Sequence, residues 1–161
     1  MASHLLRPLV RQISGGHAKR MLLHPVRTSS SITTILTGKS YPPVGHYSQA
    51  FRANGHVWVS GQIAADPDGN LVNGSMTEQA HQICKNTSEI LQAAGSGLAQ
   101  TVKATVFVTD FSKLPEFNLV YNTYFPHKPL RSAVEVSRLP LDVEVMMEVV
   151  ALVEDKGEAN F

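Results

Sequence analysis

The sequence predicts an α+β domain in which two helices cover one face of a mixed or largely antiparallel sheet. Short strand-like segments alternate with two segments of helical period, which gives the order β-β-α-β-α-β-β. The last segment is apolar on both faces, and the chain contains a single cysteine, so the fold depends on its core. With 161 residues and 43% hydrophobic content, the chain is sufficient for one compact domain.

The first two strands are predicted over 47–51 and 57–62. Asn54-Gly55 lies between them, and this pair is preferred in tight type I′ hairpin turns. A second turn is predicted at 67–70, where proline, aspartate, glycine and asparagine follow one another.

The first helix should begin at Ser75, because Ser75 and Glu78 have the spacing of a capping box. Apolar residues then recur at helical period, and Gly95 is a suitable C-terminal stop. Cys84 lies in this apolar stripe and has no obvious base beside it. We therefore expect a buried core thiol, and a reducing compartment is consistent with the absence of a possible intramolecular disulfide.

The second half of the chain predicts a strand over 102–109, a helix over 111–124, and strands over 131–136 and 143–153. Pro126 and Pro129 end the second helix. In the last strand, alternate residues from 143 to 151 are apolar, and Met146 with its neighbours adds apolar surface on the opposite side. A strand that is apolar on both faces in so small a domain predicts burial by a partner subunit.

Charge is distributed unevenly along the chain. The first 40 residues contain six basic and no acidic side chains, whereas the remainder contains 8 basic and 13 acidic ones, or −5. Segment 1–40 is typical of a mitochondrial transit peptide, with a disordered basic tail or a nucleic-acid-binding arm as alternatives. A domain over 41–155 and a tail over 156–161 should follow. The acidic domain disfavours direct nucleic-acid binding, and no apolar run approaches the roughly 20 residues of a membrane span.

Several common chemistries have no support in the sequence. The chain has no Gly-x-Ser-x-Gly, no phosphate loop and no dinucleotide fingerprint. Its histidines form no His-Glu-x-x-His motif; His81 and Cys84 have metal-ligand spacing, but two ligands without a third are weak evidence. We therefore expect no metal site and no large cofactor.

Arg131 is the most informative candidate, because it leads directly into a strand of small and β-branched residues. A guanidinium presents a planar fork that can bind a carboxylate through two parallel hydrogen bonds. The alternative is an ordinary surface or interface salt bridge.

With this element order and this arginine, the chain resembles the reactive-intermediate deaminases, the RidA or YjgF family, from about residue 41 to 154. Each matching motif is weak alone, but together they are specific. The motifs are Gly45-His46-Tyr47-Ser48-Gln49, Val59-Ser60-Gly61-Gln62, Val106-Phe107-Val108-Thr109-Asp110, Phe117-Asn118-x-x-Tyr121, Arg131-Ser132-x-Val134-Glu135-Val136 and Leu139-Pro140.

The resemblance implies a chorismate-mutase-like fold that forms a homotrimer with clefts between subunits. The implied activity is hydrolysis of enamines and imines, such as 2-aminoacrylate and 2-aminocrotonate, to 2-keto acids and ammonia, without a metal or an organic cofactor. The implied partner is thus a small imino or keto acid. The N-terminal segment resembles the mitochondrial branch known from fungi, which places the protein in the matrix, or in the cytosol if this segment is not a transit peptide.

The resemblance also assigns residues. Arg131 matches the arginine that anchors the substrate carboxylate, and Asn118 and Tyr47 match the asparagine and tyrosine of the cleft. Gly61 matches the glycine whose backbone lies against the substrate, and Ala133 replaces a cysteine found in some members. A helix-surface amide and a capped turn are the structural alternatives for Asn118 and Tyr47.

One position departs from the family pattern. Met146 stands where the family has a glutamate that is thought to position or activate the attacking water, and a thioether has no ionisable proton. Glu148 lies two residues along the same sheet face, roughly 6.8 Å away, and is a possible substitute through an extra water. A salt bridge is the alternative for Glu148 and for Glu144. Three hypotheses follow: a deaminase with an altered water site, a non-catalytic carboxylate-binding or regulatory protein, and a family member adapted to a bulkier substrate.

Overall fold

The computed structural model of the protein describes residues 31–154. This part of the chain contains six strands and two α-helices in the order β1 (Thr33–Ile35), β2 (Ala50–Ala53), β3 (His56–Ile63), α1 (Met76–Ala93), β4 (Thr101–Val108), α2 (Leu114–Tyr124), β5 (Leu130–Glu135) and β6 (Val145–Leu152). Short 3-10 turns occupy Leu98–Gln100, Phe111–Lys113 and Pro140–Asp142.

The strands form one mixed sheet in the order β1-β2-β3-β6-β4-β5. Only β4 and β5 are parallel, and they are joined through α2; the other neighbours are antiparallel. The predicted α+β architecture is therefore confirmed. No helix in residues 31–154 is long and apolar enough to cross a membrane.

The strand β1 corrects the predicted start of the folded domain. It lies inside the segment 1–40 that we expected to be outside the domain, and its Thr33 pairs with Arg52 of β2. The buried Gln49 fixes the chain that follows, since its Nε2 donates to the carbonyls of Thr37 (3.1 Å) and Tyr41 (2.9 Å). The folded part thus begins at least as early as Thr33. The rest of the predicted transit segment, 1–30, and the tail 156–161 lie outside the described residues.

The local signals at the first hairpin and at α1 are confirmed. Asn54 and Gly55 have φ of 49° and 74°, and a type I′ turn requires positive φ at both central residues. Ser75 caps α1: its Oγ accepts from the Glu78 N–H (3.3 Å), and its own N–H donates to Glu78 Oε2 (2.8 Å). Gly95 follows the end of the helix with φ 73°.

The core lies between the two helices and one face of the sheet. In β6, the residues at 145, 147, 149 and 151 are buried under the helices, while those at 146, 148, 150 and 152 alternate onto the other face. We call this second face the open face. A row of cross-strand neighbours, Phe51, Trp58, Val150 and Lys103, crosses its middle. Trp58 is 53% exposed there.

Candidate functional site

Arg131 lies on β5, the edge strand, on the side of the sheet that carries the helices. Its cross-strand partner is Ala104, which is buried under the helices, and directly paired residues share a sheet face. The guanidinium extends from this edge towards α2 and is exposed to solvent.

Two residues of α2 contact the Arg131 side chain. Its Nη1 donates to Asn118 Oδ1 at 2.6 Å, and its guanidinium carbon lies 4.9 Å from the centroid of the Tyr121 ring. Asn118 and Tyr121 are three residues apart on one helix, so they project from the same face. The structure therefore brings Asn118 and Arg131 together, and Asn118 is not merely a solvated helix-surface amide.

The fork of Arg131 retains most of its donors. A guanidinium carries five N–H groups, and Asn118 accepts from one of the two terminal nitrogens. Within residues 31–154, Arg131 forms no ion pair with a carboxylate, whereas Lys113 pairs with Glu144 and Arg138 with Asp142. The site is thus an exposed cation with donors that no described residue engages.

Ala133 lies two residues further along β5, on the same face as Arg131, and is half-buried. Its methyl group carries no polar function, so it can bind a polar ligand only through its backbone. Among the described strands β5 pairs with β4 alone, and an edge strand presents backbone donors and acceptors on its outer side. Such groups stand beside the Arg131 fork.

Tyr47 occupies a different part of the molecule. It precedes β2, is 49% exposed, and its hydroxyl accepts from the Val44 N–H at 3.3 Å, so the capped turn considered as an alternative does form. Its ring lines a groove of about 810 Å³ on the open face, together with Ser60, Lys103 and Glu148. This groove does not include Arg131 or Asn118.

Gly61 and Met146 are in close contact. The pairing of β3 with β6 shifts register between Val59 and Gln62, which places Gly61 in an irregular stretch. A Cβ at Gly61 would lie 2.6 Å from Met146 Sδ and 3.0 Å from its Cγ, so only glycine fits without movement. The half-buried Met146 also packs into a small apolar cluster with Tyr41 and Ile63. Its side chain therefore covers the glycine backbone that the resemblance places against the substrate.

The two acids beside Met146 differ in their surroundings. Glu144 forms an ion pair with Lys113 and accepts from Gln79 Nε2 at 3.1 Å, and the hydrogen bond from Lys113 lowers its pKa. The salt-bridge alternative is thus confirmed for Glu144. Glu148 is exposed on the open face opposite Thr105, and it makes no ion pair with a described residue. It shares its face with Met146, as predicted.

Cys84 and His81 do not form a site together. The Cys84 thiol is buried, which raises its pKa to about 12, and a protonated thiol is a poor nucleophile and metal ligand. His81 Nδ1 instead lies 3.2 Å from the Tyr124 hydroxyl. Residues 31–154 contain no group of three or more His, Cys, Asp or Glu side chains that could hold a metal ion.

The sequence reasoning missed two supporting features. Tyr121 was part of a recognised motif, but its contact with Arg131 requires β5 to lie beside α2, which spacing alone does not show. Ser60 Oγ donates to the Ser48 carbonyl at 2.6 Å, and Gln62 Nε2 donates to the Ser60 carbonyl at 2.9 Å. The Ser60 bond holds the loop that carries Tyr47 against β3, whereas the Gln62 bond lies within β3 itself. Both residues belong to the motif Val59-Ser60-Gly61-Gln62, but their partners depend on how the preceding loop folds onto β3.

The predicted site residues thus fall into two groups within one chain. Arg131 and Asn118 lie on the helix side at β5, whereas Tyr47 and Glu148 line the groove on the open face. Two strands separate β3 from β5, which corresponds to about 14 Å between them at the usual strand spacing. A single chain does not bring the two groups together.

The fold and the arginine fork define a small α+β protein with an exposed guanidinium at the sheet edge. The family described as Endoribonuclease L-PSP matches residues 37–153. The chain belongs to this family, which is also the RidA family.

Two curated relatives and two solved structures illustrate the match. Protein MMF1, mitochondrial, from Saccharomyces cerevisiae is 43% identical over 127 residues, 78% of this chain and 88% of that protein. The rat 2-iminobutanoate/2-iminopropanoate deaminase is 40% identical over 120 residues, 73% of this chain and 88% of its own. The crystal structure of yeast Mmf1 has a TM-score of 0.74 at 44% identity and covers 76% of this chain and 98% of its own. Escherichia coli TdcF with bound serine has a TM-score of 0.71 at 33% identity and covers 74% and 98%.

Proposed function

We propose that this protein hydrolyses reactive enamines and imines of small 2-amino acids, such as 2-aminoacrylate and 2-aminocrotonate, to 2-keto acids and ammonia. The observation that carries the proposal is the Arg131 fork, oriented by Asn118 at 2.6 Å and not paired with a described carboxylate. A bidentate ion pair with the carboxylate of an imino acid fits this geometry. The rat relative bears the name of this activity.

The active site would be completed by a second copy of the chain. Arg131 and Asn118 from one subunit would face Tyr47, Gly61 and Glu148 from its neighbour in a homotrimer. The separation of the two groups within one chain supports this arrangement, as do the exposed aromatic side chains of Phe51 and Trp58 on the open face. Burial of this face would also remove from water the apolar residues that the final strand presents on its open side.

The chemistry needs no oxidant and no electron sink. The enamine first takes a proton at carbon and loses one from nitrogen, which gives the imine. Water then adds across the C=N bond and gives a carbinolamine. Its C–N bond breaks as the hydroxyl oxygen gives up a proton and the nitrogen takes one, so that ammonia leaves and the keto acid remains. Arg131 would hold the carboxylate, Asn118 and the Tyr47 hydroxyl would orient the reacting nitrogen and water, and Ala133 and Gly61 would contribute backbone contacts. Fixing these partners in one geometry is a large source of rate enhancement.

Met146 supports a second candidate function, a carboxylate-binding or regulatory protein without turnover. A water-activating base is typically worth about 10²–10⁴-fold in rate, and a thioether cannot supply it. Glu148 could serve instead through a bridging water, because it is exposed beside Met146 on the same face. Both candidates use the Arg131 fork to bind a carboxylate, and they differ only in whether Glu148 acts.

We propose that the protein works in mitochondria. The acid-free basic segment 1–40 and the similarity to the mitochondrial yeast relative support this location. We propose no nucleic-acid substrate, although the family description names a ribonuclease. Beyond residue 40 the chain carries 8 basic and 13 acidic side chains, a net −5 that repels a phosphate backbone.

A coupled assay tests the proposal. A pyridoxal-phosphate threonine dehydratase generates 2-aminocrotonate, and release of 2-oxobutanoate is followed with and without this protein. We expect acceleration by the parent, none by Arg131→Ala, and unchanged acceleration by Arg138→Ala, a matched control whose arginine pairs with Asp142. Met146→Glu should be faster than the parent and Glu148→Gln slower. If the parent gives no acceleration but Met146→Glu does, the second candidate is correct; if neither does, the deaminase proposal fails.

A further inference from the structure

We propose that Tyr121 is a positioning residue that fixes the plane of the Arg131 guanidinium through the face of its aromatic ring. The inference rests on the proposed function in one respect only, that Arg131 anchors a carboxylate. The contact itself is present in the structure, where the guanidinium carbon lies 4.9 Å from the ring centroid. This is within the roughly 6 Å over which a cation is attracted to an aromatic face.

Arg131 needs such a contact because it is otherwise weakly held. It stands on the edge strand β5, its side chain is exposed, and among described residues it makes one side-chain hydrogen bond, to Asn118. One hydrogen bond fixes one nitrogen but leaves the guanidinium plane free to turn about that bond. A second contact, with the face of the Tyr121 ring, restricts this rotation. Bidentate binding of a carboxylate depends on the orientation of the plane.

The Tyr121 ring is a rigid support. Tyr121 is 4% exposed, and its ring stacks on Phe125 with centroids 4.5 Å apart and planes at 24°. Phe117 lies on the same helix at 6.0 Å and 30°. Asn118 and Tyr121 therefore contact Arg131 from one turn of α2, one through a polar and one through an aromatic side chain, and the core fixes the aromatic ring.

The ring, rather than the hydroxyl, carries this role. The Tyr121 hydroxyl is buried and has no hydrogen-bond partner among the described residues. Burial raises its pKa, and the nearby Arg131 acts in the opposite direction, so the phenol stays neutral near pH 7. Tyr121→Phe should therefore retain the positioning, whereas Tyr121→Leu, which keeps an apolar side chain but has no ring, should lose it.

The experiment compares Tyr121→Phe, Tyr121→Leu and Phe117→Leu in the full-length protein. Phe117 is the matched control, because it is a fully buried ring in the same stack but has no contact with Arg131. The dissociation constant for 2-oxobutanoate is measured by calorimetry. The Arg131 side-chain N–H signal is followed by ¹⁵N NMR, assigned by its loss in Arg131→Lys. We expect Tyr121→Leu to weaken binding about 2- to 5-fold, which corresponds to a cation–π contact of about 0.5–1 kcal/mol.

Tyr121→Phe and Phe117→Leu should leave both the affinity and the Arg131 signal close to those of the parent. The inference is overturned if Tyr121→Leu leaves the Arg131 signal in place, or if Phe117→Leu weakens binding as much as Tyr121→Leu. If the parent binds no 2-oxobutanoate, the proposed function fails, and the Arg131 signal in the ligand-free variants still decides whether the ring positions the fork.

Discussion

At the scale of single residues, the contact between Gly61 and Met146 sets the shape of the candidate water site. A Cβ at residue 61 would lie 2.6 Å from Met146 Sδ, so Gly61→Ala forces the thioether out of its apolar cluster. We expect Gly61→Ala to lower the free energy of unfolding by about 1–3 kcal/mol, as overpacking does. In the background of Met146→Ala the same change should cost less. Urea unfolding of the parent, the two single variants and the double variant gives this cycle. If the two changes in the free energy of unfolding are additive, the contact between residues 61 and 146 is contradicted.

Cys84 gives a pH-dependent prediction. Burial raises the pKa of its thiol to about 12 in the folded protein, whereas an exposed thiol in the unfolded chain titrates near 8.5. Above about pH 9 the unfolded state loses this proton and the folded state retains it, so stability should fall as pH rises. The resulting fall in the free energy of unfolding approaches about 1.4 kcal/mol per pH unit. In Cys84→Ala, the free energy of unfolding measured with urea should fall less steeply between pH 9 and 11 than in the parent. The same slope in both proteins would refute the raised pKa of Cys84.

At the scale of elements, the capping box at α1 can be tested on its own. Ser75→Ala removes the acceptor for the Glu78 N–H and should lower the free energy of unfolding by about 1 kcal/mol. Ser88 lies on the same helix and accepts only from the Gln92 side chain, so Ser88→Ala is a control that should cause little loss. Equal losses in the two variants would show that the cap contributes nothing specific.

Elements with a strong local signal were predictable from sequence, and those fixed by distant partners were not. The Asn54-Gly55 turn and the Ser75 cap depend on residues within four positions of each other, so the chain alone reveals them. The three-residue strand β1 is too short to show a period, and it exists because it pairs with β2. The predicted helix over 111–124 begins instead with a 3-10 turn, because Asp110 Oδ1 accepts from the Ser112 N–H at 2.8 Å and caps it.

The candidate site shows the same division. The Arg131–Asn118 pair could be predicted from motifs, because β4, α2 and β5 follow one another and bring these residues together. The packing of Met146 over Gly61 could not, since it depends on how β3 and β6 pair across a shift in register. The separation of Tyr47 from Arg131 likewise depends on the strand order, which places β3, β6 and β4 between β2, next to Tyr47, and β5.

At the scale of the whole molecule, the open face should be the surface between copies of the chain. We expect sedimentation equilibrium to give the mass of three chains. Trp58→Glu places a charge beside Phe51 and Val150 on the open face and should give single folded chains that no longer bind 2-oxobutanoate. Gln92→Glu adds the same charge to the exposed surface of α1 and should remain trimeric. A parent that sediments as a single chain and still accelerates hydrolysis would contradict the shared-site arrangement.

The central claim is that Arg131 recognises a carboxylate through its planar fork. The most direct measurement is calorimetric titration of the parent and Arg131→Lys with 2-oxobutanoate and with its neutral amide. We expect the parent to prefer the acid to the amide. Arg131→Lys, which keeps the charge but loses the fork, should weaken acid binding about tenfold or more. Equal affinity of the parent for acid and amide, or an unchanged affinity in Arg131→Lys, would contradict it.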